Sequence, residues 1–128
     1  MGSRGAFLES GGFSVPAKWH TINYVDGYKV LEPKDPKSSL NLPERSNTPG
    51  TVYVLYRKDG TFSQLRAFGA DRMPLYDIDY GRHWGKENYL HIHYFKNGER
   101  MGGNSVIAIE KHSALYKKYE RVFKGVKV

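Results

Sequence analysis

Asp59-Gly60 sits between two runs of alternating side chains, and no other feature narrows the fold of this chain as much. Upstream, Val52, Val54 and Tyr56 alternate with Tyr53, Leu55 and Arg57; downstream come Phe62, Leu65 and Phe68. A period of two belongs to a strand, whose successive side chains point to opposite faces. Asp-Gly tolerates the left-handed backbone that a tight hairpin turn requires. Residues 51–68 are therefore expected to form an antiparallel hairpin. The signal recurs where Asp26-Gly27 separates WHTINY from YKVLEP, and where Asn97-Gly98 closes ENYLHIHYF. MPLYDIDY supplies a further strand, with Leu75, Asp77 and Asp79 on one face and Tyr76, Ile78 and Tyr80 on the other. In ENYLHIHYF, Tyr89, His91, His93 and Phe95 share a face opposite Leu90, Ile92 and Tyr94, and SVIAI reads as one more short strand.

The tail, KHSALYKKYERVFKG, has a helical period. Leu115, Tyr119, Val122 and Val126 form an apolar stripe, Lys117, Lys118, Arg121 and Lys124 face outward, and Gly125 is placed to end the helix. The expected fold class is α+β: a twisted antiparallel sheet of about four to six strands with a C-terminal helix packed on one face. MGSRGAFLESGGFSVP reads as a loosely ordered arm, and KDPKSSLNLPERSNTPG, with three prolines, as a linker or long surface loop. Residues 1–49 thus hold the arm, a short hairpin and the linker, and residues 50–128 hold the histidine-containing core. At 128 residues the two parts are expected to make one compact unit.

Composition removes several function classes. There is no cysteine, which excludes a disulfide scaffold, a thiol nucleophile, a Cys-ligated zinc and an iron–sulfur cluster. No apolar run approaches the roughly 20 residues that span a bilayer, and no charged-then-apolar signal segment opens the chain. A soluble, intracellular protein with no membrane partner is the expectation. Lys+Arg number 20 against 13 Asp+Glu, a net charge of +7 with a pI near 9.6. Residues 51–128 carry most of the excess, fourteen cations against eight acids. A polyanionic partner such as RNA fits that balance, as does simple solubility.

Four of the five histidines lie between residues 83 and 112. His91-Ile92-His93 puts two imidazoles on one face of a strand, and Asp77-Ile78-Asp79 does the same with two carboxylates. If those strands pair, the four side chains converge, with Arg82 and His83 on the rim. Three chemistries fit. In metal-independent RNA cleavage one histidine takes the ribose 2′-hydroxyl proton, another protonates the leaving 5′-oxygen, and an arginine stabilises the phosphorane. Histidine and carboxylate together also suit zinc, manganese or non-haem iron. Finally, the histidines can be hydrogen-bonded strand residues with no chemistry. Trp19 and Trp84 read first as core or loop anchors, and the tyrosines as strand packing. His20 and His112 are assigned no role. No P-loop, dinucleotide fingerprint, Gly-x-Ser-x-Gly or His-Glu-x-x-His occurs.

MGSRGAF…GGF, GTVYVLYRKDGTFSQLRAF, YDIDYGRHWG and LHIHYF…NGER together resemble a group of small phage and prophage proteins. These occur with, or fused to, minor head proteins in phages and mobile elements of Gram-positive bacteria. The pattern is also similar to terminal domains of bacterial polymorphic toxins grouped with the barnase/EndoU/colicin/RelE-like ribonuclease fold. It covers about residues 50–100 well and the first dozen residues loosely. Such relatives often carry a further histidine where this chain has Tyr94, and their helices usually precede the sheet.

The resemblance points to Asp79, His83, His91 and His93 as the matching polar positions. It implies an RNase-like, nucleic-acid-binding domain in the cytoplasm of a bacterial host or on a virion. In the endoribonuclease reading, His91 and His93 are acid and base, His83 a third candidate, and Arg82 or Arg72 the phosphate stabiliser. Asp79 would orient a histidine and raise its pKa. Trp84, Lys86, Tyr89, Tyr94, Lys117, Lys118 and Arg121 are the candidate nucleic-acid contacts, through stacking or phosphate pairing. The alternative is a non-enzymatic accessory protein that binds a phage or host protein, its histidines buried and hydrogen-bonded. No cofactor and no tight metal site are expected.

Overall fold

The computed structural model describes residues 19–35, 42–46, 48–82 and 87–127. Strands β1 (Trp19–Val25) and β2 (Tyr28–Pro33) meet at Asp26-Gly27, whose φ angles of 54° and 83° are both left-handed. β3 (Val52–Tyr56) and β4 (Phe62–Phe68) form the hairpin around Asp59-Gly60. β5 (Pro74–Gly81), β6 (Tyr89–Lys96) and a two-residue β7 (Glu99–Arg100) follow, each antiparallel to the one before. β8 (Ile107–Ala108) and helix α1 (Ala114–Tyr119) complete the described elements.

All eight strands belong to one sheet, in the order β1-β2-β3-β4-β5-β6-β7. β8 shares the outer edge of β6 with β7: it pairs with His91 and Ile92, while β7 pairs with Phe95 and Lys96. The expectation of four to six strands was too low: SVIAI, read as a short strand, does hold β8, and the two-residue β7 is too short for an alternating pattern to announce it. The balance between sheet and helix also differs, for α1 has only 6 residues.

The helix is shorter than the apolar stripe implies because the chain tightens after Tyr119. Val122 N–H bonds to Tyr119 O at 2.8 Å and Phe123 N–H to Glu120 O at 3.3 Å, both three-residue spans. That bend drops the adjacent Val122 and Phe123 together into the core, with Phe123 against the Phe62 ring at 5.0 Å. Ser113 caps the start, its Oγ accepting from Tyr116 N–H at 3.1 Å.

β2 and β3 are parallel neighbours, the single parallel pair among the described residues. A parallel pair requires a crossover, and the proline-rich stretch between β2 and β3 supplies it. Of its described residues, Leu42 is 1% exposed and packs with Trp19, Leu31, Tyr53 and Phe68 on one face of the sheet. On the other face Val54, Leu65, Ile78 and Ile92 pack against Tyr116, Tyr119, Val122 and Phe123. The Leu42 face is apolar at β1–β4 and turns polar toward β5 and β6, which is where the histidines lie.

Candidate functional site

Strand register aligns two polar rows across the Leu42 face. Arg66 pairs with Asp77, and Asp77 with His93; Gln64 pairs with Asp79, and Asp79 with His91. Directly opposed residues share a face, so the convergence expected from Asp-X-Asp and His-X-His is realised once β5 and β6 pair.

The first row is a buried ion pair. Arg66 Nε and Nη2 donate to Asp77 Oδ1 and Oδ2 at 2.7 and 2.9 Å, and Nη1 donates to the carbonyls of Leu42 and Pro43 at 2.7 and 3.1 Å. The Arg66 guanidinium also lies 5.2 Å over the Phe95 ring. Burial pushes the Asp77 carboxyl above its usual range, against the downward pull of Arg66. Arg66 counts among the cations that could have met phosphate, but it is enclosed and fully engaged within the fold.

The second row is more open. The Nε2 atoms of His91 and His93 lie 3.8 and 3.6 Å from Asp79 Oδ2. Their Nδ1 atoms sit against backbone carbonyls, His91 with Tyr89 O at 3.0 Å and His93 with Met101 O at 2.8 Å. Both histidines are buried, at 2% and 8% exposure. Arg100 closes the group: its Nη2 contacts Asp79 Oδ2 directly, and its Nε lies 3.4 Å from Asp77 Oδ2. Nothing in the sequence reading singled out Arg100. The signal that could have found it is the turn at Asn97-Gly98, which folds Arg100 back opposite Phe95 and so onto the histidine face.

The other sequence candidates scatter. The Tyr89 ring stacks 4.8 Å from that of His91. Tyr94 is on the opposite face, exposed, with its ring 6.1 Å from Tyr76. Arg72 occupies a left-handed turn (φ 68°) before β5, five residues and more from Asp79 along an extended strand, far beyond side-chain reach. Lys117, Lys118 and Arg121 are exposed around α1, on the other side of the sheet from the histidines, with Arg121 3.5 Å from Asp26. His83, Trp84 and Lys86 lie outside the described residues.

A different set of cations does gather. Arg57 donates to the carbonyls of Phe62 and Tyr80 and lies 5.7 Å over the Tyr80 ring. With Lys58 and Lys124 it lines a cleft of about 800 Å³ that Tyr56 and Glu32 also border, the Lys124 ammonium lying 5.6 Å over the Tyr56 ring. Arg82 and Lys127 line a smaller hollow on Tyr80 with Glu87 and Asn88, and the Lys127 N–H reaches the Tyr80 hydroxyl at 3.3 Å. Tyr80 therefore meets Arg57, Arg82 and Lys127 at one end of the sheet, and Lys58 and Lys124 share the cleft with Arg57.

Comparison with family models, curated proteins and solved structures gives no match to this chain.

Proposed function

We propose that this protein is a nucleic-acid-binding module of a phage or mobile element, contacting phosphates through the basic end of its sheet. The observation that carries the reading is the gathering of Arg57, Lys58, Arg82, Lys124 and Lys127 around Tyr80 and Tyr56. Among the described residues, only Glu32 and Glu87 oppose them in the linings of the two hollows. Cations beside a partly exposed aromatic such as Tyr56 are the elements of a single-strand site, in which phosphates pair with charge and bases stack. The resemblance to phage and toxin-like proteins supports the same class of partner.

Each phosphate contact with a single strand contributes about −0.7 to the log–log salt slope, so five contacts give a slope of about −3.5. Affinity for a fluorescent single-stranded RNA is expected to fall roughly a hundred-fold between 50 and 200 mM salt. Arg82→Ala and Lys127→Ala should each flatten the slope by about 0.7, while Arg72→Ala, at the far end of β5, should leave it unchanged. Undetectable binding at the lower salt would remove the reading and favour the accessory protein that binds a protein partner.

A ribonuclease reading draws on a separate observation, the meeting of His91, His93, Asp79 and Arg100 from three strands. Burial of both imidazoles weighs against it, because a ribose hydroxyl must come within hydrogen-bond reach of Nε2. Incubation with labelled RNA in EDTA tests it. Cleavage lost in His93→Ala and kept in His112→Ala would establish it, and no cleavage by the folded wild type would eliminate it.

A further inference from the structure

Asp79, His91 and His93 each bring one ligand atom to within 4.8 Å of the others. His91 and His93 stand two apart on β6 and so point the same way, and Asp79 is the direct cross-strand partner of His91. The tautomers follow from the backbone. Tyr89 O and Met101 O can only accept, so the Nδ1 atoms 3.0 and 2.8 Å away carry the protons and donate. In a neutral ring the lone pair is then on Nε2, and both Nε2 atoms face Asp79 Oδ2 from 3.8 and 3.6 Å. Those separations are too long for hydrogen bonds. Electron-rich atoms drawn this close call for positive charge among them, and here Arg100 Nη2 supplies it at Asp79 Oδ2, in the place a metal ion would take.

A second observation points the same way. Asp79 Oδ1 is buried and, among the described residues, has no hydrogen-bond partner. A buried carboxylate oxygen without a donor costs stability, and such an atom in a native fold calls for an explanation.

We infer that Asp79, His91 and His93 bind a divalent first-row metal ion of the zinc class, through the two Nε2 atoms and the Asp79 carboxylate. Imidazole and carboxylate are the donors such ions take in catalytic and open sites. A second ring nitrogen donating to a carbonyl is the arrangement that fixes a metal-bound histidine. Nitrogens about 2.0–2.1 Å from zinc in a tetrahedron stand about 3.4 Å from neighbouring ligand atoms. The observed 3.6 and 3.8 Å lie close to that spacing, and the two Nε2 atoms, within 4.8 Å of each other, would have to close by up to about 1.4 Å. Three protein ligands leave a fourth position for water, on the side where the Asp79 and Arg100 side chains are 20% and 38% exposed. Arg100 is the competitor. Its guanidinium supplies the positive charge at Asp79 and must swing outward, toward solvent, to admit the ion. The inference reverses the sequence-based expectation of no tight metal site, and it is independent of RNA binding.

Full-length protein without a polyhistidine tag, stripped with EDTA, would be titrated with Co²⁺ and then Zn²⁺, following visible cobalt absorption and bound metal after dialysis. One equivalent of cobalt, with absorption that zinc abolishes, is the expected result. Asp79→Asn and His93→Gln should weaken binding about ten-fold or more, and His112→Ala should not change it. Arg100→Gln should tighten it. Tightening cannot arise from unfolding, so this variant keeps the test decisive even if His93→Gln fails to fold by circular dichroism. Less than one-tenth equivalent on the folded wild type would overturn the site. So would equal affinity in the wild type and a folded Asp79→Asn variant.

Discussion

Arg66 and Asp77 form the enclosed half of the polar face, and their energetics are asymmetric. The pair satisfies itself through two charge-assisted hydrogen bonds, with two backbone carbonyls taking the Arg66 Nη1 donors. Removing Arg66 leaves a carboxylate that is 0% exposed facing only the more distant Arg100 and Gln64. Breaking a buried pair from one side costs about 3–5 kcal/mol, whereas replacing both partners by apolar groups of similar volume is often neutral. Urea denaturation should therefore find Arg66→Met destabilised by that amount. Arg66→Met combined with Asp77→Leu should recover most of the loss. If the double variant is as unstable as the single one, the carbonyl contacts to Leu42 and Pro43 hold the fold, and the ion pair does not.

At the scale of the element, the β6–β7 turn decides whether Arg100 reaches the histidine face. Asn97 and Gly98 have φ of 53° and 79°, the doubly left-handed turn that matches the twist of a tight hairpin. A Cβ on Gly98 would meet nothing within 4 Å, so Gly98→Ala carries a backbone penalty alone, about 1–2 kcal/mol. Denaturation curves should show that loss. Because β7 has only two residues, loosening the turn should also release Arg100 from Asp79. A salt-dependence of stability that persists unchanged in Gly98→Ala would show that β7 holds its position without the turn. The same logic makes the Ser113 cap worth about 1 kcal/mol in a helix as short as α1.

Over the whole molecule, the core titrates as well as packs. The Tyr76 and Tyr119 hydroxyls share a 2.5 Å hydrogen bond under the helix, and burial pushes both pKa values up. Tyr56, donating to Val122 O at 2.7 Å, is raised for the same reason. A raised folded pKa contributes stability that is fully present below the unfolded value, about 10 for tyrosine, and is lost as pH rises beyond it. Lys29, lowered by burial, acts in the opposite direction, one group against three. Unfolding free energy should therefore fall between pH 9 and 11, by up to about 1.4 kcal/mol per pH unit for each tyrosine the unfolded chain ionises first. Tyr119→Phe should flatten that slope. An equally steep fall in the phenylalanine variant would place the titration elsewhere.

Much of this architecture is local and was therefore legible. Asp26-Gly27, Asp59-Gly60 and Asn97-Gly98 mark hairpins because few residues accept a left-handed backbone. A period of two places His91 with His93 and Asp77 with Asp79 wherever the strands end up. What needed the tertiary structure is long-range. Register alone sets Arg66, and not a phosphate, against Asp77, so one apparent surface cation is part of the core. β2 and β3 pair in parallel, and no local pattern distinguishes a linker from a segment that buries Leu42 against the sheet. The helical stripe ended early because packing Val122 and Phe123 side by side against Phe62 outweighed the regular period. Residue types and their alternation determined which side chains could face each other; which of them do, with Arg100 over Asp79 and both Nε2 atoms turned toward it, followed from strand pairing and burial.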